Sequence, residues 1–333
     1  RLLKEIYQIT QFISMKKNKV VIIAEAGINH NGSFKNAKKL IDVAAKAGAH
    51  YIKFQTYNLD DMVIKKSPLA DYQKQRTSID TQYEMLKKYN IKKSVYPKLI
   101  EHCKKKKINF LSSPFDVNSI NFLKKLKVKI FKIPSGEITN YPYLKVLAKL
   151  SSKIILSTGM STIKEIKKAL EILIKFGTKK NNITILHCVS DYPTKYKNVN
   201  LKNILSLKNK FKIKIGFSDH TNDNLSSILA VALGAEIIEK HITLSNKARG
   251  PDHIASLNPK NFFQFVRDIK NAQIILGSEE RRVTTSEKKN LKVARKSIYA
   301  TKNITKGEIF TNNNITTKRP GNNLSAIYWN KVI

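Results

Sequence analysis

Val20 to Glu25 is an unbroken apolar run that closes on a carboxylate, the pattern of a strand buried on both faces. A Gly- and Asn-rich loop follows, then apolar positions at helical spacing over Asn36–Lys46, and a second short apolar run at Tyr51–Phe54. After a long connection, roughly Asn58–Asn90, the alternation becomes regular. Helix-period stretches near Val95–Lys106, Ser119–Leu126, Tyr143–Leu150, Ile163–Phe176 and Leu201–Lys208 each lead into a strand-like run. Those runs are Ile108–Leu111, Lys129–Ile133, Lys153–Leu156, Ile183–His187 and the segment ending at Ser218-Asp219-His220. One more helix and strand end at Glu239-Lys240-His241, and a last helix covers Pro259–Leu276. Eight strand–helix units over about 250 residues predict an α/β chain folded as a (β/α)₈ barrel. Nearly every run closes on a polar or ionisable residue, so one end of the barrel is marked as the functional face. The long connection after the second strand exceeds ordinary α/β loops and predicts a wall for a site there.

The stretch from Gly216 to Ile242 carries the sharpest chemical signal. Its two strands are joined by a helix and so are parallel neighbours, which brings His220 and His241 out at the same sheet edge. Two imidazoles so placed are suited to hold one metal ion from one side and leave the other side for substrate.

The formal net charge is +38 over 333 residues. The basic residues are mostly lysines on predicted helix faces and loops, as in Lys104 to Lys107, without interleaved aromatics or arginines. Lys, Ile and Asn are abundant together, as A/T-rich coding produces, so we read a solvated lysine surface and no specific nucleic-acid site. The chain has two cysteines, Cys103 and Cys188, without metal-type spacing, and no apolar run of transmembrane length. These features predict a reduced, cytoplasmic setting without a membrane partner. Met15 opens MKKNKVVIIAEAG, so residues 1–14 read as an upstream extension of the natural start. Beyond Gly277 the composition changes to the charged run SEERRVTTSEKKN and then a compact, strand-like segment with a Lys306-Gly307 turn. The predicted division is an extension over 1–18, a barrel over 19–277, a linker over 278–293 and a small domain over 294–333.

The ordered set IAEAGINHNGSF, IKFQT, LSSPFD, KIPSGE, ILSTGM, ILHC with YPT, GFSDHT, EKHIT, RGPDHIASLNP, ARKSIYAT, KGEIF and ITTKRPGN resembles the N-acetylneuraminate (sialic acid) synthase family. It spans almost the whole chain from Val20 onward. The resemblance implies a manganese-dependent barrel that joins phosphoenolpyruvate to an N-acetylhexosamine such as N-acetylmannosamine and releases phosphate. Mg²⁺ or Co²⁺ would be substitutes for Mn²⁺. It also implies a C-terminal antifreeze-like (SAF) domain that reaches into the partner of a swapped homodimer. Here the chain closes soon after KRPG, with Asn323-Leu324-Ser325-Ala326 where the family has Gly-Ile-Ser-Pro, so a shortened domain is expected.

By the same resemblance His220 and His241 match the metal ligands, and Glu25 and Glu137 the two acid–base carboxylates. Lys53, Lys132, Ser112, Ser113, Ser135, Ser157, Ser190 and Ser218 match, or lie beside, positions that bind phosphoenolpyruvate. Tyr192, Asp252 and Gln55 match sugar-side positions, and Arg319 the arginine offered across the dimer to the N-acetyl group. Taken singly, each serine also reads as a helix cap, and Lys53 or Lys132 as a structural partner of Glu25. The main functional expectation is an N-acetylneuraminate synthase. The alternatives are a synthase for legionaminate or another nonulosonic acid, and a Schiff-base pyruvate aldolase using Lys132 or Lys53.

Overall fold

The computed structural model describes residues 20–74, 77–150 and 152–333, so the expected extension over 1–18 lies outside the described residues. The chain divides into two compact units between Leu276 and Gly277.

The first unit is the expected barrel. Its strands are β1 Val21–Gly27, β2 Tyr51–Thr56, β3 Asn109–Pro114, β4 Ile130–Ile133, β5 Lys153–Ser157, β6 Ile183–Cys188, β7 Lys214–Asp219 and β8 Ile237–His241. They form one sheet in the order β3-β2-β1-β8-β7-β6-β5-β4, with every ladder parallel. β3 and β4 come together without a ladder among the described residues, so the cylinder is nearly closed.

The outer helices form where their sequences carry both a stripe and caps. Phe34–Ala47 buries Ala37, Leu40, Ile41 and Ala44 on one face, starts where Ser33 accepts from the Asn36 amide, and stops at Gly48 with φ 85°. Ile163–Lys175 begins with a reciprocal Thr162/Glu165 capping box and buries Ile166, Ala169, Leu170 and Leu173. These stripes pack on the outward-facing residues of the strands in one continuous core. Inside the barrel a small plug of Ile23, Leu111, Ile155 and Leu186 fills the lower part. The interior turns polar two residues further along β1, at Glu25.

Several strands run further than their apolar stretches. β2 reaches Thr56 and β3 reaches Pro114, because the ladder continues through Gln55↔Ser113 and Thr56↔Pro114. The residues expected in the loop after β3 are therefore part of the wall. The long connection, residues 57–95, is built of short helices at Leu59–Met62, Asp71–Lys74 and Gln82–Tyr89. Tyr57, Leu69, Met85, Leu86 and Tyr89 give it a core of its own, seated on Ile28 from the β1 loop and Phe115 from the β3 loop. No helix among the described residues is long and apolar enough to cross a membrane.

In the second unit the segment expected as a linker contains a helix, Thr285–Ala294, opened by a Thr284/Glu287 capping box. β9 Ser297–Ala300 pairs antiparallel with β10 Ile315–Lys318. The Lys306-Gly307 turn is present, with Gly307 at φ 92° and the Glu308 amide donating to Thr305 O at 3.1 Å. Chain beyond Pro320 returns beside β9: the Ile298 amide donates to Leu324 O at 2.8 Å, and Ser297 bridges Ser325.

Candidate active site

A cavity of about 420 Å³ opens at the carboxyl ends of the strands, roofed on one side by the 57–95 segment. Its floor is a buried quartet of charges. Lys53 Nζ lies 2.7 Å from Glu25 Oε2 and 3.6 Å from Glu239 Oε2, and Lys132 Nζ lies 3.0 Å from Glu239 Oε1. Lys53 also donates to Ser113 Oγ at 3.1 Å, and Ser218 Oγ to Glu239 Oε1 at 2.9 Å. Burial pushes the Glu25 carboxyl up to about 7, against the pull of Lys53. Glu239 is equally buried, yet Lys132 and Lys53 flank it and hold it well below the usual carboxylate range. The site thus contains one firmly ionised carboxylate and one poised to carry a proton. Burial lowers Lys132, whereas the two carboxylates outweigh burial and raise Lys53.

Beside this floor stand the two histidines. Their ring centroids are 5.5 Å apart, and the Tyr192 ring lies 4.2 Å from His220 and 5.7 Å from His241. Burial pushes His220 down to about 4 and His241 well below its ordinary value, so both rings are neutral. His220 Nδ1 lies 2.6 Å from Val189 O; a carbonyl only accepts, so Nδ1 carries the hydrogen and Nε2 keeps its lone pair. His241 Nδ1 is buried without a hydrogen-bond partner. Neutral imidazoles, one whose Nε2 lone pair meets only Ser218 Oγ at 3.3 Å and one with an orphaned nitrogen, fit a divalent transition metal. No group of three or more His, Cys, Asp or Glu side chains is arranged for a metal among the described residues; this pair would supply the protein donors.

On the neighbouring wall, at the ends of β4, β5 and β6, Ser135, Ser190 and Cys188 converge on Gly159. The Gly159 amide donates to Ser135 Oγ at 3.0 Å and to Cys188 Sγ at 3.1 Å, and a β-carbon on Gly159 would stand 2.8 Å from Ser135 Oγ and collide with Ser190 Oγ. Ser157, at the end of β5, lines the same wall. The Gly159 amide is thus taken up within the wall, while the hydroxyls of Ser135, Ser157 and Ser190 line the same cavity as Lys53 and Lys132, a donor set suited to an anion. A third cluster surrounds Gly27, where a β-carbon would lie 3.2 Å from Glu25 Oε1, 3.5 Å from Gln55 Nε2 and 3.7 Å from Asp252 Oδ2. Asp252 is buried, and desolvation pushes its carboxyl up to about 6.

Three of the expected residues are not in this group. Ser112 faces away from the cavity: side chains alternate along β3, and its hydroxyl donates to Phe54 O at 3.0 Å and meets Thr56 Oγ1 at 2.6 Å. Glu137 lies in the turn after β4 but does not line the cavity, because its carboxylate accepts from Asn140 at 2.7 Å at the start of the next helix. Arg319 is exposed on the second unit, directly after β10. Conversely, sequence reasoning missed Glu239 and Cys188. Glu239 lies two residues before His241 on the same strand face, and Cys188 closes β6 at the same edge; both positions were readable from period two.

Comparison with known proteins agrees with this fold. The NeuB family model matches residues 40–281 and the SAF domain model residues 295–333. The chain is 48% identical over 316 residues to an N,N'-diacetyllegionaminic acid synthase of Campylobacter jejuni, covering 95% of each. It is 32% identical over 316 residues to a pseudaminic acid synthase of Helicobacter pylori, covering 94% of this chain and 92% of the relative. The crystal structure of an N-acetylneuraminic acid synthetase from Leptospira borgpetersenii superposes with a TM-score of 0.73 at 36% identity, covering 82% of this chain and 90% of that one. The chain belongs to the NeuB family and carries a SAF domain at its C-terminal end.

Proposed function

We propose that the protein condenses phosphoenolpyruvate with a six-carbon N-acetylated sugar to a nine-carbon 2-keto acid and releases phosphate. The observation that carries this reading is the adjacency, in one cavity, of serine hydroxyls and lysines suited to an anion and a pair of neutral imidazoles. The sugar is the di-N-acetylated precursor of N,N'-diacetyllegionaminic acid rather than N-acetylmannosamine, the substrate first expected from the sequence. Two observations support that choice: the 48% identity to a synthase of that product, and a roof of Met62, Met85 and Leu86 with Gln73 and Gln82. Such a roof suits apolar methyl groups and amide carbonyls better than a hydroxyl-rich or phosphorylated sugar.

His220 and His241 would hold Mn²⁺, which supplies Lewis-acid polarisation of the sugar's aldehyde when bound. Lys53, Lys132 and the cavity serines, Ser113, Ser135, Ser157, Ser190 and Ser218, bind the phosphate and carboxylate of phosphoenolpyruvate, and the 57–95 segment excludes water above them. The enol carbon, C3, attacks the aldehyde carbon and forms the new C–C bond. Water then adds at C2, and phosphate leaves by C–O cleavage, which restores a ketone there. Glu25 would give a proton to the sugar oxygen and recover one from the attacking water, and the remaining C2 hydroxyl proton leaves with the departing phosphate as the ketone forms. Glu239 keeps both lysines charged and in place. Gln55, Asp252 and Tyr192 face the sugar. In a swapped homodimer Arg319 would offer its guanidinium to an N-acetyl carbonyl of the partner's substrate. A phosphate-release assay with phosphoenolpyruvate and a panel of hexosamines tests the reading. Phosphate release without a C–C-bonded product from any of them would refute it.

A further inference from the structure

Asp219 and Lys240 are the last paired residues of the β7–β8 ladder, directly before His220 and His241 respectively. Alternation turns the two histidines, with Ser218 and Glu239, into the barrel and sends Asp219 and Lys240 outward into the helix layer. Both outward side chains are 0% exposed, and their charged ends meet at 3.0 Å. Each then makes further bonds to the segment that leaves His220. Lys240 Nζ donates to Thr221 O at 2.6 Å and to Asp223 O at 2.9 Å. Asp219 Oδ1 accepts from the Thr221 amide and the Thr221 hydroxyl, both at 2.8 Å, while its Oδ2 accepts from Ser227 Oγ at 2.6 Å.

Past Asp219 the ladder between these strands ends, so His220 has no strand partner on the β8 side. The ammonium of Lys240 takes over that task by gathering the carbonyls of the next turn. His220 is otherwise held by Val189 O and Ser218 Oγ on its ring and by the Thr194 amide on its carbonyl. We propose that the buried Asp219–Lys240 pair is a positioning device that sets the spacing and orientation of the His220 and His241 rings. A buried ion pair of this kind adds little net stability over apolar residues of the same shape, but its fixed donors define one geometry for the backbone on either side. The functional weight of the inference rests on the metal reading of the two histidines.

Removing one partner alone strands a buried charge and endangers folding. The test therefore uses the double variant Asp219→Asn/Lys240→Met, with Thr221→Val as a milder change that removes only the hydroxyl. Mn²⁺ affinity of the full chain is measured by titration followed by electron paramagnetic resonance, at 25 °C and with folding verified by circular dichroism. The expected result is Mn²⁺ binding weakened by about tenfold or more in the double variant, the scale on which residues that orient metal ligands act. The Thr221→Val variant is expected to shift in the same direction by a smaller factor. An affinity changed by less than threefold in a folded double variant would overturn the inference, since a purely structural role lowers thermal stability without touching the metal. If the double variant does not fold, Thr221→Val decides: unchanged affinity overturns the proposal. If the wild-type protein binds no Mn²⁺, the metal reading fails on its own. A crystal structure of a variant then decides the inference, displaced rings supporting it and rings superposing on their 5.5 Å arrangement overturning it.

Discussion

His220 and His241 face each other across the end of the β7–β8 ladder with ring centroids 5.5 Å apart, each too buried to hold a proton at neutral pH. Two neutral rings in that relation have lone pairs available to a metal and no competing charge of their own. His241→Ala is expected to lower turnover by more than about 100-fold, beyond the cost of losing a group that only orients a ligand. Exhaustive chelation should give the same loss, restored by Mn²⁺ in the wild type and not in the variant. Full activity after chelation would contradict the assignment.

The Gly159 wall predicts a different signature. In Gly159→Ala the new methyl meets Ser135, Ser190 and Cys188, side-chain ends that must shift to admit it. The KM for phosphoenolpyruvate should rise about tenfold or more, the worth of one hydrogen bond to a charged group. The sugar KM should change far less. Steady-state kinetics with each substrate varied in turn checks this, and equal effects on both would place the anion elsewhere.

Asp252 links pH, stability and binding. Burial raises its folded pKa from 3.8 to about 6, so between these values the folded chain holds a proton that the unfolded chain has released. Its contribution to stability therefore falls as pH rises through about 6, and above that the buried charge is a standing penalty. Asp252→Asn removes the charge and should raise stability at pH 7.5 by on the order of 1–3 kcal/mol, seen as a higher Tm. The same change should raise the sugar KM. A Tm unchanged or lowered in the variant would show that the carboxylate is not desolvated as described.

Much of this arrangement is legible in the sequence because a parallel barrel writes itself as separate apolar runs with polar ends. His220, His241, Glu25 and Lys53 sit at such ends. The strand ends themselves were harder, since Ser112, Ser113 and Pro114 break the apolar run while the ladder continues through them. That error of length hid the alternation that sends Ser113 inward and Ser112 outward. Glu137 could not be placed from sequence, because the direction of its side chain is set by a single turn and by Asn140 three residues later. The helix Thr285–Ala294 buries no residue and so shows no apolar stripe; only its Thr284/Glu287 capping box announces it.

The Schiff-base alternative makes a direct contrast. Lys132 is lowered by burial, yet its ammonium is engaged by Glu239 at 3.0 Å. Borohydride added with pyruvate is expected to leave the protein mass unchanged. A reduced pyruvyl adduct on Lys132 or Lys53 would favour an aldolase.

Arg319 offers a test of the second unit. Arg319→Ala should raise the sugar KM about tenfold while leaving that of phosphoenolpyruvate within twofold, as expected for the loss of a charged donor to one substrate only. Equal effects would argue for a surface charge.

Product analysis decides whether phosphoenolpyruvate is condensed with a di-N-acetylated six-carbon sugar. Protein loaded with Mn²⁺ is incubated with phosphoenolpyruvate and either that sugar or N-acetylmannosamine, with released phosphate and product mass followed together. A nine-carbon acid is expected to form in step with phosphate, with kcat/KM for the di-N-acetylated sugar at least about tenfold higher, a difference of about 1.4 kcal/mol. Preference for N-acetylmannosamine, or phosphate released without any nine-carbon product, would contradict it.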